Sequence, residues 1–394
     1  MEEHKLWNSN FIKICLGNFL VKFSFTLIVP LLPLYLSETF GATKDVIGIV
    51  LAGYTIMVIL ISPFSGYLVD SFPRKVVLMV CNFIFFALFA GYIAAGSLTM
   101  FAIFRTLHGA PYGACSVSMT TVSIDVLHSS RRAEGIAYFG LSNNIATALG
   151  PFLAILILGW VNGNFQILFA ISMAISLLAL IVNSSIKIDK KSYVTVKKNV
   201  LSMDRFFLVK GLRQAVNLIC FSFSYGLIST YVAIYGKEEL GITSGTGYFF
   251  LLFAVGLMIS RLTGAAGLRR NHVSLNAMEG IFISATAYFI FAAFKAEWAF
   301  YTTPFILGLG NGHMYPAFQT MFVNLAEHNQ RGTANSSMIT SWEMGIGLGV
   351  LAGGVVSEHL GYHTAFWVAL AVNLVGILLF FVMTRPHFEA NKLR

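Results

Sequence analysis

Long apolar runs, separated by short polar connections, dominate the pattern of this chain. Val76 to Ala95 and Phe165 to Val182 are two examples. Each approaches the roughly 20 apolar residues that a helix needs to cross a hydrocarbon core about 30 Å thick. The alternating ten-residue segments of a membrane barrel are absent from the pattern. The runs predict twelve helical spans, near 11–36, 46–68, 76–95, 98–123, 135–160, 165–186, 207–235, 246–268, 273–294, 298–323, 332–357 and 362–384. A lysine-rich polar stretch, 187–206, separates the spans into an N-terminal six-helix bundle (1–186) and a C-terminal one (207–394). The expected fold is therefore an all-α polytopic membrane protein.

A weak internal repeat supports two pseudo-symmetric bundles. Setting Arg132 against Arg331 also pairs Gly109 with Gly308, Gly113 with Gly312, Gly150 with Gly349 and Asn144 with Glu343. Parallel halves related by an axis along the membrane normal, with the substrate site between them, are a recurrent transporter design.

Composition agrees: 57% of the residues are hydrophobic and only 11% are charged, against about 25% charged in a soluble domain. The net charge of +9 raises the possibility of a nucleic-acid partner, but its placement excludes one. With both termini inside, the outer connections hold only Lys44, Lys237 and Lys295, and the spans hold Lys22, Arg105 and Arg261. All other lysines and arginines fall on the inner side, so the charge obeys the positive-inside rule. Cys15, Cys81, Cys115 and Cys220 are scattered inside apolar segments and read as small packing residues. Met1 to Asn10 is polar without a cleavable-signal pattern, so the first helix is expected to stay as a span.

Three segments carry a resemblance to a known family. Gly66-Tyr67-Leu68-Val69-Asp70-Ser71-Phe72-Pro73-Arg74-Lys75 resembles the loop between helices two and three of the major facilitator superfamily, G-x-L-a-D-r-x-G-r-k. Ser71 and Pro73 replace the usual arginine and glycine. Arg105-Thr106-Leu107-His108-Gly109 resembles the family's R-x-x-q-G pattern on helix four. Gly150-Pro151 on helix five resembles the G-P of the signature common in proton-driven antiporters, although Ala146, Ala154 and Ile155 stand where that signature has glycine. The resemblance covers nearly the whole chain. It implies alternating access, a gating role for Gly66, Asp70, Arg74 and Lys75 with Asp125 as a further member, and substrate or proton handling by Arg105.

The candidate chemistry follows from residues that are costly to place in lipid. Asn18, Lys22 and Thr26 form one polar stripe on helix one, and Arg105, Gly109, Tyr112, Ser116 and Thr120 form another on helix four. Lys22 is expected to hold an anionic substrate group or to pair with a carboxylate. Glu343, midway along helix eleven beside Trp342 and a glycine run, is the leading proton-coupling candidate, with Asp125 and Arg105 as others. A buried carboxylate disfavours its charged form, which brings its protonation toward the working range. Asn143, Asn144, Asn217, Tyr225, Asn311, Tyr315, Gln319 and Trp342 complete the candidate substrate cavity. His313 reads as a structural histidine before it reads as a proton carrier.

No phosphate loop, metal-ligand cluster or nucleophile elbow is visible in the sequence. The expectation is a non-enzyme without cofactor or metal: a monomeric secondary transporter in a bacterial cytoplasmic membrane, both termini cytoplasmic. Its partners would be a small-molecule substrate, protons and the lipid bilayer. Proton-coupled efflux leads; import or uniport of a polar metabolite is the alternative, and an intramembrane enzyme or sensor on the same fold is the remote one.

Overall fold

The computed structural model describes residues 6–128, 132–187, 207–242, 246–269, 272–327 and 330–393. Apart from Lys187, the expected linker 187–206 lies outside them. Every predicted span falls on a helix: α1 (Ser9–Thr26) and α2 (Leu32–Phe40) for the first, then α3 (Lys44–Ser71), α4 (Arg74–Ala94), α5 (Leu98–Asp125), α6 (Arg132–Trp160) and α7 (Phe165–Ser184). After these come α8 (Leu212–Leu240), α9 (Gly247–Arg269), α10 (Val273–Ala293), α11 (Glu297–Leu325), α12 (Arg331–Leu379) and α13 (Arg385–Asn391). Among the described residues, eight helical stretches are long and apolar enough to cross a membrane. The arginine and other polar groups of α5, and the amides and histidine of α11, keep those two helices out of that set although both are long.

The breaks have local causes. The first span is interrupted at a short 3-10 turn, Val29–Leu31, that contains Pro30; proline removes a donor and clashes with the preceding turn. The last two predicted spans run together as α12, bent only at Gly361 (φ 83°, ψ 162°). That backbone conformation is essentially reserved for glycine. Helix starts are capped as sequence chemistry prescribes: Asn8 accepts from Phe11 N at 2.9 Å, and Ser97 from Met100 N at 3.2 Å.

Contacts divide the chain into two compact units. One comprises Met1–Leu32 with Ile56–Asn199, the other Pro33–Thr55 with Val200–Arg394. The segment Pro33–Thr55, part of the first half by sequence, thus packs with the second.

In the first unit, α1 packs on α6 and α7, and α4 on α5 and α7. From Ser172 onward, helix α7 is polar or small inside and apolar outside. On α7, Ser172, Ser176, Ala179 and Asn183 are fully buried, whereas Leu178 and Ile181 are 53% and 55% exposed. Lipid tails are as apolar as leucine, so only close packing and hydrogen bonds draw such helices together. An aromatic core fills the rest, with Tyr92 4.9 Å from Phe101 and 5.8 Å from Phe169 between ring centroids.

In the second unit, α8 packs along α12, and α11 against α9 and α10. Leu218, Phe221, Met314, Phe318, Met321 and Phe322 form its buried core. The α8–α12 contact is a backbone approach. A Cβ on Gly226 would lie 2.7 Å from the Ile346 Cα and carbonyl oxygen, and one on Gly345 would meet Ser222 Oγ and the Ile219 carbonyl. Gly226→Val should therefore push the helices apart at a cost of about 1–3 kcal/mol. A fall of several degrees in the melting temperature of the detergent-purified protein is expected. Gly140→Ala, whose new Cβ meets nothing within 4 Å, should leave it unchanged; equal melting points for both variants would refute the backbone contact.

Candidate functional site

The polar stripes of α1 and α5 meet in the first unit. Lys22 Nζ donates to Tyr112 Oη at 2.6 Å and stands 5.2 Å from the centre of the same ring. Asn18 Nδ2 donates to Ser142 Oγ at 2.8 Å, which ties α1 to α6. Asn18, Val21, Lys22, Tyr112, Ser116, Met119 and Asn143 line a pocket of about 10 Å3, room for one water-sized group. Thr26, expected in the cavity, braces the helices instead. Its hydroxyl donates to the Ala146 carbonyl at 3.0 Å and sits where a Cβ on Gly150 would fall. Gly150 of the Gly150-Pro151 motif thus earns its place by letting α6 close on α1, while Pro151 lies buried within α6. Asn144 is half-buried and lies outside the pocket lining.

Arg105 is only 3% exposed. Its guanidinium carbon lies 5.1 Å above the centre of Phe25. Phe25 in turn stacks on Tyr112, with centroids 4.7 Å apart and planes at 29°. One turn along α5, fully buried His108 shares a 2.7 Å hydrogen bond between its Nδ1 and Tyr92 Oη and is enclosed by Phe85 and Phe89, at 4.5 and 4.8 Å between centroids. Tyr92, Phe25 and Ser142 escaped the sequence reading. Nothing in a single apolar helix marks its tyrosine or phenylalanine as a neighbour of a distant arginine.

The gating segment is placed only in part. Gly66 and the side chains of Asp70 and Arg261 lie outside what the structure describes. Arg74, at the start of α4, forms an ion pair with Asp125 at the end of α5. The partners' side chains are 21% and 13% exposed, so water weakens the pair less than it would at a surface. Asp125, expected also as a proton-coupling candidate, is the acid of this pair. Lys75 Nζ donates to the carbonyls of Asn183, Ser184 and Ile186. These are the acceptors a helix end leaves unsatisfied, so Lys75 caps α7.

In the second unit, Tyr225, Phe253, Trp342 and Tyr315 form an aromatic wall. Tyr225 stacks on Phe253 at 5.5 Å, and Trp342 lies 5.7 Å from Tyr225 and 5.1 Å, edge-on, from Tyr315. Glu343 follows Trp342 on α12 and is half-buried. Asn311 is 4% exposed on α11. Asn217 is fully buried and donates to the Gly376 carbonyl at 2.6 Å. Gln319 donates to Asn335 at 2.9 Å in an exposed position. His313 is held by Asn276, with Nδ1 2.8 Å from Asn276 Oδ1 and its carbonyl accepting from Asn276 Nδ2 at 3.1 Å; Glu279 stands 3.9 Å away. Two-way anchoring of this kind suits a structural histidine.

The same unit holds a polar seam at the start of α3. Lys44 Nζ lies 3.5 Å from Glu238 and 4.1 Å from the centre of Tyr362, whose hydroxyl donates to Glu238 at 3.0 Å. The Lys44 amide donates to Glu358 at 2.8 Å. Lys237 pairs with Glu38, and Lys295 with Glu239. Lys44, Lys237 and Lys295, the three lysines expected on the outer side, are therefore each paired with a glutamate. Among the described residues no cluster of potential metal ligands occurs.

This helical architecture meets a decisive match at the sequence level. The profile of the Major Facilitator Superfamily matches residues 14–296 and 277–394. The chain belongs to the Major Facilitator Superfamily. It is similar to the quinolone resistance protein NorA of Staphylococcus aureus strain MRSA252, 23% identical over 384 residues that span 92% of this chain and 93% of the relative. It is also similar to the staphylopine export protein of S. aureus strain Mu50, 23% identical over 364 residues and 86% of each chain. Among solved structures, a bacterial homologue of the human lysosomal transporter Spinster superposes with a TM-score of 0.79 at 12% identity, covering 97% of both chains. This major facilitator is thus a multi-pass membrane transporter by family and fold.

The Arg74–Asp125 clasp is open to a double-mutant cycle. Arg74→Ala and Asp125→Ala should each lower the melting temperature of this facilitator, and the double variant should lose clearly less than the two losses combined. Additive losses would show that the two side chains act independently.

Proposed function

We propose that this facilitator exports a small molecule across a bacterial cytoplasmic membrane, both termini inside, by alternating access driven by the proton gradient. The observation that carries the reading is the polar pocket of Asn18, Lys22, Tyr112, Ser116 and Asn143 inside a helical unit whose outer surface is apolar. Polar and charged groups retained at membrane depth are expensive and mark solute or ion pathways. The names of the two bacterial relatives, a resistance protein and an export protein, favour the outward direction. In this reading 1–186 and 207–394 act as the moving halves, joined by 187–206. Arg74 and Asp125 clasp the cytoplasmic side, and the Lys44–Glu238–Tyr362 cluster closes contacts on the outer side. Charge-assisted hydrogen bonds of these kinds form and break without large rearrangement of the helices that carry them.

Glu343 is the proposed proton carrier. A carboxylate beside an aromatic wall can be protonated from one side and released to the other as substrate occupancy changes its surroundings. The protein acts as a monomer and catalyses no covalent chemistry in this account.

The test is purified protein in liposomes with a trapped pH dye, no imposed gradient, and a solute panel that includes a quinolone. Solute-driven proton movement is expected, and Glu343→Gln should abolish it while leaving the protein folded. Solute flux without proton movement would remove the coupling and return Glu343 to a packing role. Proton movement undiminished in Glu343→Gln would move the carrier elsewhere.

A further inference from the structure

We infer that Tyr92 and His108 are positioning residues for the pocket of the first unit: a directed line of hydrogen bonds, from Arg105 to Tyr92 to His108, holds the guanidinium on Phe25 and with it the Tyr112 wall of the pocket. The inference deepens the export reading and rests on it for any effect on transport; the direction of the hydrogen bonds rests on the buried contacts alone.

The contacts run from the pocket into the core. Lys22 Nζ donates to Tyr112 Oη at 2.6 Å. The Tyr112 ring stacks on Phe25 with 4.7 Å between centroids, and the Arg105 guanidinium carbon lies 5.1 Å from the centre of the Phe25 ring. Arg105 also hydrogen-bonds the Tyr92 hydroxyl, and Tyr92 Oη stands 2.7 Å from His108 Nδ1. Helix α1 supplies Lys22 and Phe25, α5 supplies Arg105, His108 and Tyr112, and α4 supplies Tyr92. An ionisable group at membrane depth is costly to place and marks a functional position by default. An arginine side chain has much rotamer freedom to lose, so the groups that fix its head decide where its charge sits.

Donor counting gives the line its direction. A guanidinium only donates, so the Tyr92 oxygen accepts from Arg105. Tyr92 and His108 are both fully buried, and the Tyr92 ring is packed against Phe101 and Phe169, 4.9 and 5.8 Å away between centroids. The phenol proton therefore goes to His108 Nδ1. That nitrogen is then the unprotonated one, the imidazole proton sits on Nε2, and the ring is neutral. The opposite tautomer would leave two groups without a partner, the phenol proton and the Nε2 lone pair. The assigned one leaves only Nε2–H, which has no hydrogen-bond acceptor among the described residues. Phe85 and Phe89 enclose the imidazole at 4.5 and 4.8 Å, and aromatic faces accept such a hydrogen weakly. A charged imidazole would strand the phenol proton and set a second cation beside the guanidinium.

Low polarity strengthens each bond in such a network and makes an unmade one expensive. Loss of the His108 acceptor strands the Tyr92 proton, and loss of the Tyr92 hydroxyl removes a partner that fixes Arg105. Either change reaches Phe25, and through Phe25 the Tyr112 ring that Lys22 holds.

The experiment has a spectroscopic and a functional arm, both on the full-length protein in liposomes. In nitrogen NMR of isotope-labelled histidine, the signal that His108→Gln removes should be that of a neutral ring protonated at Nε2. Tyr92→Phe should shift its Nδ1 resonance. A charged ring, an Nδ1-protonated ring, or a resonance indifferent to Tyr92→Phe would overturn the inference. In the liposome transport assay, Tyr92→Phe and His108→Leu should each lower turnover by about fivefold or more. His108→Gln, whose amide oxygen can accept the phenol proton, should stay within about twofold of wild type. A His108→Leu protein that melts lower yet transports as wild type does would assign His108 to packing and overturn the inference. Should His108→Leu fail to fold, Tyr92→Phe, which removes only the hydroxyl oxygen, decides by the same readouts. If the wild type moves no solute, the export reading falls while this one stands or falls separately. The melting temperatures of Tyr92→Phe, Lys22→Met and their double variant then decide: coupled losses support the positioning role, and additive losses overturn it.

Discussion

Hydrocarbon offers no partner to a backbone N–H or C=O, and that constraint governs everything else in this chain. Each crossing must satisfy its own backbone, so the chain crosses as helices. Since lipid is as apolar as the side chains, burial in a core gains little, and the helices hold together through close approach and internal hydrogen bonds. The buried serines of α7, the meeting of Gly226 with Ile346, and Thr26 fitted against Gly150 are all consequences. Many large apolar side chains also face outward. The protein is arranged with its greasy surface where a soluble protein carries charge.

Within that frame, charged groups separate by location. At helix ends they are paired or capping: Arg74 with Asp125, Lys75 on the end of α7, and Lys44, Lys237 and Lys295 each with a glutamate. Such positions are cheap to ionise because water is near. Within the predicted spans Lys22, Arg105 and Glu343 remain, where ionisation is costly. The first two are packed on aromatic rings, and Lys22 also on a tyrosine hydroxyl, groups that stabilise a cation.

How far the site could be read from sequence depends on whether a contact lies along one helix or between two. Asn18 with Lys22, and Tyr112 with Ser116, follow from helical spacing and do share one pocket lining. Thr26 obeys the same spacing as Asn18 and Lys22, yet its hydroxyl is taken by α6. Asn217 likewise has the polarity of a cavity residue but is used to brace the chain near Gly376. Periodicity reports which face a residue occupies; it is silent on which neighbour closes over that face. The pairing of Asp125 with Arg74 came from resemblance to the family loop, since the two lie on different helices and no spacing rule connects them. Tyr92 against His108 had no sequence signal at all.

Helix type was determined by apolar run length, because hydrocarbon thickness sets a minimum helix length that few soluble segments reach. The breaks at Pro30 and Gly361 were likewise written locally, in a missing donor and in a backbone conformation open to glycine. Three-dimensional packing alone decided which polar groups were left to form a pocket and which were consumed in holding helices together. It also decided that Pro33–Thr55 packs with the second unit. The physical reason is the same in each case: hydrogen bonds and close contacts between helices depend on crossing positions, and those are a property of the assembled bundle.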